Sequence, residues 1–304
     1  MSSTLTRRHF VAGTLSGLSA GAWLASGCAP SVRRTDQAAE PAQGYQIGCY
    51  TRPWADQDYR VALDAIAEAG FRYCGLMNAK GGFILSLRAT LEQASQAGEE
   101  ARRRGLRVLS AYGGDIPLDS VAGAVAGLRK LIDHCAAAGS ANLLMGGVGD
   151  EKVYGIYYKA IAECCDYAAE KKVSISLKPH GGLNATGRQL RRTIEEVGHR
   201  NFRVWYDAGN VYYYSDGRLE PVQDAADVSG LVAGWCIKDY LPPKNVDVTP
   251  GTGKVDFAGV LAVLRQGGFT RGPLVVETLA RGDLPARLAE ARKARAFVER
   301  LVSA

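Results

Sequence analysis

The chain has 304 residues, 47% hydrophobic and 22% charged, which suits one large globular domain or two small ones. Its 36 Gly and 11 Pro follow no fixed period, and together with the apolar content this excludes collagen-like and disordered chains. A net charge of +6, from 37 basic against 31 acidic residues, is too small an excess to indicate nucleic acid by itself.

The first 44 residues differ from the rest. Thr6-Arg7-Arg8-His9-Phe10 precedes a weakly apolar, Gly/Ala/Ser-rich run from Val11 to Gly27. A basic start before a short apolar run is a secretory signal, and the adjacent arginines resemble a twin-arginine signal. Gly13, Gly17, Ser19 and Gly21 make the run too polar for a transmembrane helix, which needs about 20 mainly apolar residues. Leu24-Ala25-Ser26-Gly27-Cys28 resembles a bacterial lipoprotein box, with Ala25 where a large aliphatic residue is usual. Residues 1–28 therefore read as a signal peptide with Cys28 as its lipidation site, ordinary signal cleavage nearby being the rival. Residues 29–44, rich in Ala, Pro, Gln and charge, read as a flexible linker. The expected location is the periplasm, either free or as a membrane-anchored lipoprotein. The membrane is engaged only through the signal or a lipid. Loss of Arg7 and Arg8 with the signal lowers the net charge to +4.

From residue 45 onward, eight short apolar runs recur: 45–50, 71–77, 106–112, 141–145, 173–177, 202–206, 231–237 and 273–276. They are near-continuous rather than alternating, as parallel strands covered on both faces should be. Helical periodicity separates many of them, over 59–69, 121–136, 153–168, 186–197, 256–267 and 284–302. Gly70, Gly105, Gly139 and Gly268 stand where helix C-caps would be. Eight strand–helix units in residues 45–304 predict a single-domain (β/α)8 TIM barrel. A doubly wound open sheet is disfavoured by the unit count and by the lack of Gly-x-Gly-x-x-Gly after the first strand. Among the seven cysteines, Cys49, Cys74 and Cys236 lie in strand runs and Cys135, Cys164 and Cys165 in helical ones, so buried thiols are expected rather than disulfides. The longest strand-to-helix connection, 239–255, is a candidate functional loop.

Barrel active sites lie at the C-terminal ends of the strands. In strand order, those ends offer Tyr50, Arg52 and Trp54; Asn78 and Lys80; Tyr112 and Asp115; Gly146-Gly147; Lys178 and His180; Asp207 and Asn210; Lys238 and Asp239; and Glu277. This ring of acids, bases, donors and aromatics suits a small polyhydroxylated ligand such as a sugar. Lys178, His180, Asp207 and Glu277 are the strongest set.

Four segments occur in order: Trp205-Tyr206-Asp207-Ala208-Gly209-Asn210, Trp235-Cys236-Ile237-Lys238-Asp239, Pro250-Gly251-Thr252-Gly253-Lys254-Val255-Asp256-Phe257 and Gly272-Pro273-Leu274-Val275-Val276-Glu277. This set resembles the sugar phosphate isomerase/epimerase family, the xylose isomerase-like TIM barrels, over roughly residues 45–302. The resemblance implies a divalent metal held by a Glu after strand five, an Asp after strand six, a His in strand seven and a Glu after strand eight. Asp207 and Glu277 keep two of these positions, whereas Lys178 and Cys236 replace the other two. Two arrangements follow. One divalent metal (Mn, Mg or Zn) is held by Asp207, Glu277 and His180, with Cys236 available to a soft ion. Alternatively the site is metal-free and the Lys178 ammonium offsets the two carboxylates.

The resemblance implies an isomerase or epimerase acting on a small carbohydrate or keto-sugar, with a sugar lyase as second choice, and the N-terminal signal makes it an exported one. Lys178, His180 and Glu277 are the expected catalytic residues, and Asn210, Lys238, Arg52 and Tyr112 the expected substrate contacts. An inactive carbohydrate-binding barrel lipoprotein is the alternative reading, and a nuclease is disfavoured. No nucleic-acid partner is expected.

Overall fold

The structure is a computed structural model and describes residues 44–304. The expected signal, the Cys28 lipid site and the linker up to residue 43 lie outside the described residues.

Eight parallel strands close into a barrel: β1 (Tyr45–Tyr50), β2 (Tyr73–Leu76), β5 (Arg107–Tyr112), β6 (Asn142–Met145), β7 (Ser174–Leu177), β8 (Phe202–Asp207), β9 (Val232–Ile237) and β10 (Gly272–Val276). They pair in that order, and β10 closes onto β1 with Ile47 opposite Leu274. The remaining strands, β3 (Asn78–Ala79) and β4 (Gly82–Phe83), form a small hairpin just after β2. The helices are α1 (Tyr59–Glu68), α2 (Leu91–Arg103), α3 (Val121–Ala138), α4 (Glu151–Glu170), α5 (Gly187–Val197), α6 (Ala208–Tyr214), α7 (Pro221–Ala226), α8 (Phe257–Gln266) and α9 (Leu284–Ser303). This is the predicted TIM barrel. Gly70, Gly105, Gly139 and Gly268 all have positive φ, between 72° and 90°, the left-handed conformation that commonly ends a helix.

Strand side chains alternate, so each strand feeds two cores. Leu76, Leu143, Ile175, Val204, Ile237 and Val276 face the helices. Tyr50, Leu109, Leu144, Trp205, Cys236 and Val275 fill the barrel interior. Gly234 is required there, because a Cβ would collide with the Trp205 ring. The six described cysteines are buried free thiols, as expected.

Helix α2 was not legible from periodicity. Its buried face is Ala94, Ala97, Gly98 and Ala101, too small to stand out in an apolar pattern. Its ends are nevertheless coded, since Thr90 and Gln93 form a reciprocal capping box.

Candidate active site

Alternation also builds the site. On β7, β8, β9 and β10 the inward positions are Ser176, Trp205, Cys236 and Val275, and two residues further on each strand points inward again. Those residues are Lys178, Asp207, Lys238 and Glu277. All four are buried at the C-terminal end of the barrel.

They form one alternating charge cluster. Lys178 Nζ lies 2.8 Å from Glu277 Oε2 and 3.4 Å from Asp207 Oδ2. Lys238 Nζ lies 2.5 Å from Glu277 Oε1 and 3.2 Å from Asp207 Oδ2. The two ammonium groups therefore bridge the two carboxylates, and the four formal charges cancel. Cys236 Sγ donates to Glu277 Oε2 at 2.9 Å. Asp207 Oδ1 accepts the Asn210 backbone N–H at 2.9 Å. Asn210 Oδ1 accepts from Lys238 Nζ at 3.0 Å, and its amide donates to the Pro179 carbonyl at 2.6 Å.

Burial and charge compete here. Burial alone would lower the Lys178 pKa, but the Glu277 and Asp207 carboxylates oppose it and the net direction is up. Burial alone would raise Glu277, but the Lys178 and Lys238 ammonium groups hold its carboxyl well below the usual range. Asp207 moves the other way: burial outweighs the lysines and raises it. Burial also pushes the Cys236 thiol well up, so it stays protonated.

A pocket of about 260 Å³ opens above the cluster. Lys178, Lys238, Glu277, His180, Asn210, Arg52 and Tyr112 all line it, so every expected catalytic and substrate-contact residue converges on one cavity. Asp207 does not line it and lies behind the lysines with no exposed surface. The His180 ring packs between Tyr112 and Tyr214, at centroid distances of 6.4 and 5.4 Å. Surrounding protein and the Lys178 ammonium lower its pKa, and solvent at the pocket mouth screens part of that effect. Of the other strand-end candidates, Asn78 also lines the pocket, Trp54 is buried, and Lys80 and Asp115 are exposed and do not line it.

Several lining residues were not singled out by the sequence. Tyr213 and Tyr214 come from α6, where a run of three tyrosines was the available signal, and Phe83 comes from the small hairpin. Val246 comes from the 239–255 connection. That connection folds around Asp239, whose carboxylate accepts four backbone N–H groups, from Tyr240, Gly251, Gly253 and Val255, at 2.8–3.1 Å.

Asp207, Cys236 and Glu277 bring their ligand atoms within 4.8 Å of one another, and His180 is not part of that group. The set expected from the sequence, Asp207 with Glu277 and His180, is therefore not what the geometry gathers. The residues present do not fit a divalent cation. Both carboxylates are already engaged by ammonium groups, and the third candidate ligand, Cys236, is itself hydrogen-bonded to Glu277. A divalent ion added to this neutral cluster would leave an uncompensated double positive charge in a buried site.

The xylose isomerase-like TIM barrel family model matches residues 63–301. Comparison with curated proteins finds no match. Among solved structures, a xylose isomerase domain protein from Planctomyces limnophilus is 20% identical, with 85% of this chain and 97% of that chain covered and a TM-score of 0.69. A D-allulose 3-epimerase from Methylomonas sp. in complex with D-allulose is also 20% identical, at 85% and 97% coverage and a TM-score of 0.66. A D-psicose 3-epimerase from Clostridium cellulolyticum H10 with D-tagatose is 14% identical, at 84% and 97% coverage and a TM-score of 0.64. At these identities the structures share the fold. With the family model spanning most of the barrel, the chain belongs to the xylose isomerase-like TIM barrel family.

Proposed function

We propose that the chain is a sugar isomerase or epimerase that breaks a C–H bond beside a carbonyl, with the Lys178–Lys238 ammonium pair in the electrostatic place of a metal. The observation that carries this reading is the neutral four-charge cluster beneath a pocket that also holds an imidazole. Similarity of fold to proteins bound to D-allulose and D-tagatose supports a small carbohydrate as the ligand.

In this reading the substrate carbonyl oxygen faces Lys178 and Lys238. Neutral His180 takes the proton from the adjacent carbon, the C–H electron pair moves into a C=C bond, and the carbonyl oxygen becomes an enediolate oxygen. The ammonium groups hold that charge in a site largely cut off from solvent, where such contacts are strongest. Return of the proton from His180 to the former carbonyl carbon, with the vicinal hydroxyl proton passing to the former carbonyl oxygen, completes an isomerisation. An epimerisation needs a proton delivered to the opposite face of the original carbon, by solvent or a second donor, while His180 releases its own. Glu277 is a poor first base, because Lys178, Lys238 and Cys236 all hold its charge. Its role is to fix the lysines, with Asp207 doing the same from behind. Asn210 positions Lys238, while Arg52 and Tyr112 contact hydroxyls.

The reading extends to location. Arg7-Arg8 and Cys28 support export by the twin-arginine route and a lipid anchor, so an unphosphorylated or oxidised sugar is the expected substrate class.

The test is a screen of aldoses, ketoses and keto-sugars with the full chain in D2O, with C–H loss followed by NMR. The reading requires deuterium incorporation next to a carbonyl, and a loss of about 100-fold or more in His180→Asn. Tight binding of a sugar with no exchange would instead support a carbohydrate-binding barrel.

A further inference from the structure

A second, larger cleft of about 540 Å³ lies beside the pocket of about 260 Å³. Arg52 and Asn78 line both cavities, so the two are neighbours across a shared wall. The cleft is also continuous with the site along the chain, because Thr278, Leu279 and Ala280 directly follow Glu277 and form its side. The inner volume of about 260 Å³ lies just below the range of about 300–1,000 Å³ usual for ligand pockets, which suits a small ligand of one ring. A ligand confined to it leaves the larger cavity unused.

The cleft has a distinct chemistry. Asp247 pairs with Arg281 at 2.6 Å and with Arg52 at 3.6 Å. Arg287 pairs with Asp56 and donates to the Pro53 carbonyl at 3.1 Å. Asp247 is shared by two guanidinium groups and Asp56 holds the third, so the wall offers fixed donors next to fixed acceptors. Vicinal hydroxyls need that combination, since each can give one hydrogen bond and accept another. Leu279 and Pro53 add apolar surface for C–H groups. A phosphate would compete with Asp247 and Asp56 for these guanidinium groups, whereas a hydroxyl can bond to donor and acceptor together.

We infer that this cleft is a second subsite, and that the substrate is a two-unit molecule: a sugar reacting above Lys178, linked to a second sugar or polyol ring held between Arg52, Asp247 and Arg281. The inference rests on the carbohydrate reading given above and narrows it to glycosides and disaccharides.

Titration calorimetry on the full chain tests it, with D-glucose and D-fructose compared against a panel of reducing disaccharides and against D-glucose 6-phosphate. At least one disaccharide should bind about tenfold or more tighter than its own monosaccharide unit. Ala280→Trp, which fills the cleft, should abolish that advantage and leave monosaccharide affinity unchanged. Arg281→Ala keeps the test valid should that variant fold poorly, because its side chain is 87% exposed; it should reduce the same advantage. No disaccharide advantage, an advantage that survives both substitutions, or tighter binding of the sugar phosphate than of every disaccharide would each overturn the subsite. Deuterium exchange is read separately. A disaccharide that binds through the cleft yet exchanges no C–H would sink the isomerase reading and leave the subsite standing.

Discussion

Lys238 Nζ lies 2.5 Å from Glu277 Oε1, while the other oxygen of the same carboxylate is held by Lys178 at 2.8 Å. One carboxylate thus organises two ammonium groups, and Asp207 behind them balances the second charge.

Removing a single charge should unbalance the cluster. Lys178→Met is expected to cost about 3–5 kcal/mol at pH 7, the usual effect of stranding a buried charge. Adding Asp207→Asn restores neutrality, so the double variant should lose less than the sum of the two single variants. Urea denaturation of the four proteins measures this coupling, expected at about 1–3 kcal/mol. Additive losses would mean that the lysines and carboxylates do not act as one unit.

The same geometry makes metal affinity a matter of two residues. Lys178→Glu with Cys236→His would supply the two ligand types that the family resemblance implies and this chain lacks. The double variant should bind one equivalent of Mn2+ or Zn2+, while the unaltered chain binds none tightly. Elemental analysis after dialysis reads the difference directly. Equal metal content in the two proteins would show that Lys178 does not exclude the ion.

Stability should carry one contribution of unusual sign. Burial raises the Asp224 carboxyl to about 6, even though it accepts hydrogen bonds from Gly187 N–H and Tyr206 O–H. Its unfolded value is about 3.9, so between these values the folded state binds the proton more tightly. That contribution is complete below pH 4 and is lost as the pH rises to 6, at most about 3 kcal/mol. Asp224→Asn keeps an acceptor for Gly187 and cannot ionise. Relative to this variant, the unaltered chain should lose stability from pH 4 to 6 in denaturant titrations. A constant difference between the two proteins over that range would contradict the raised pKa.

Export can be tested apart from chemistry. Arg7→Lys with Arg8→Lys should hold the protein in the cytoplasm, and mass spectrometry of the exported form should find a lipid on Cys28. Unchanged secretion of the double-Lys variant would remove the twin-arginine assignment, and an unmodified Cys28 would remove the anchor.

Much of this architecture was readable because a parallel barrel buries its strands on both faces, which writes them as plain apolar runs. Asp207 and Glu277 were legible through the segments ending in Asp207-Ala208-Gly209-Asn210 and Val275-Val276-Glu277. The placement of Lys238 was not. It reads as a substrate clamp, and only the closure of β9 between β8 and β10 brings its ammonium onto both carboxylates. For the same reason His180, two residues beyond Lys178, looked like a replacement ligand. The turn after β7 instead leaves its ring among tyrosines at the pocket mouth. Arg52 and Asp247 are nearly two hundred positions apart, and no local pattern marks the cleft they share.

In the proposed reaction, two lysines supply the positive charge on which C–H cleavage depends. The most direct measurement is the rate of C–H exchange in D2O, on the sugar found by screening, before and after exhaustive chelation. With lysine supplying that charge, the rate should be unchanged after chelation and fall about 100-fold or more in Lys178→Met. A rate abolished by chelator and restored by Mn2+, Mg2+ or Zn2+ would contradict it.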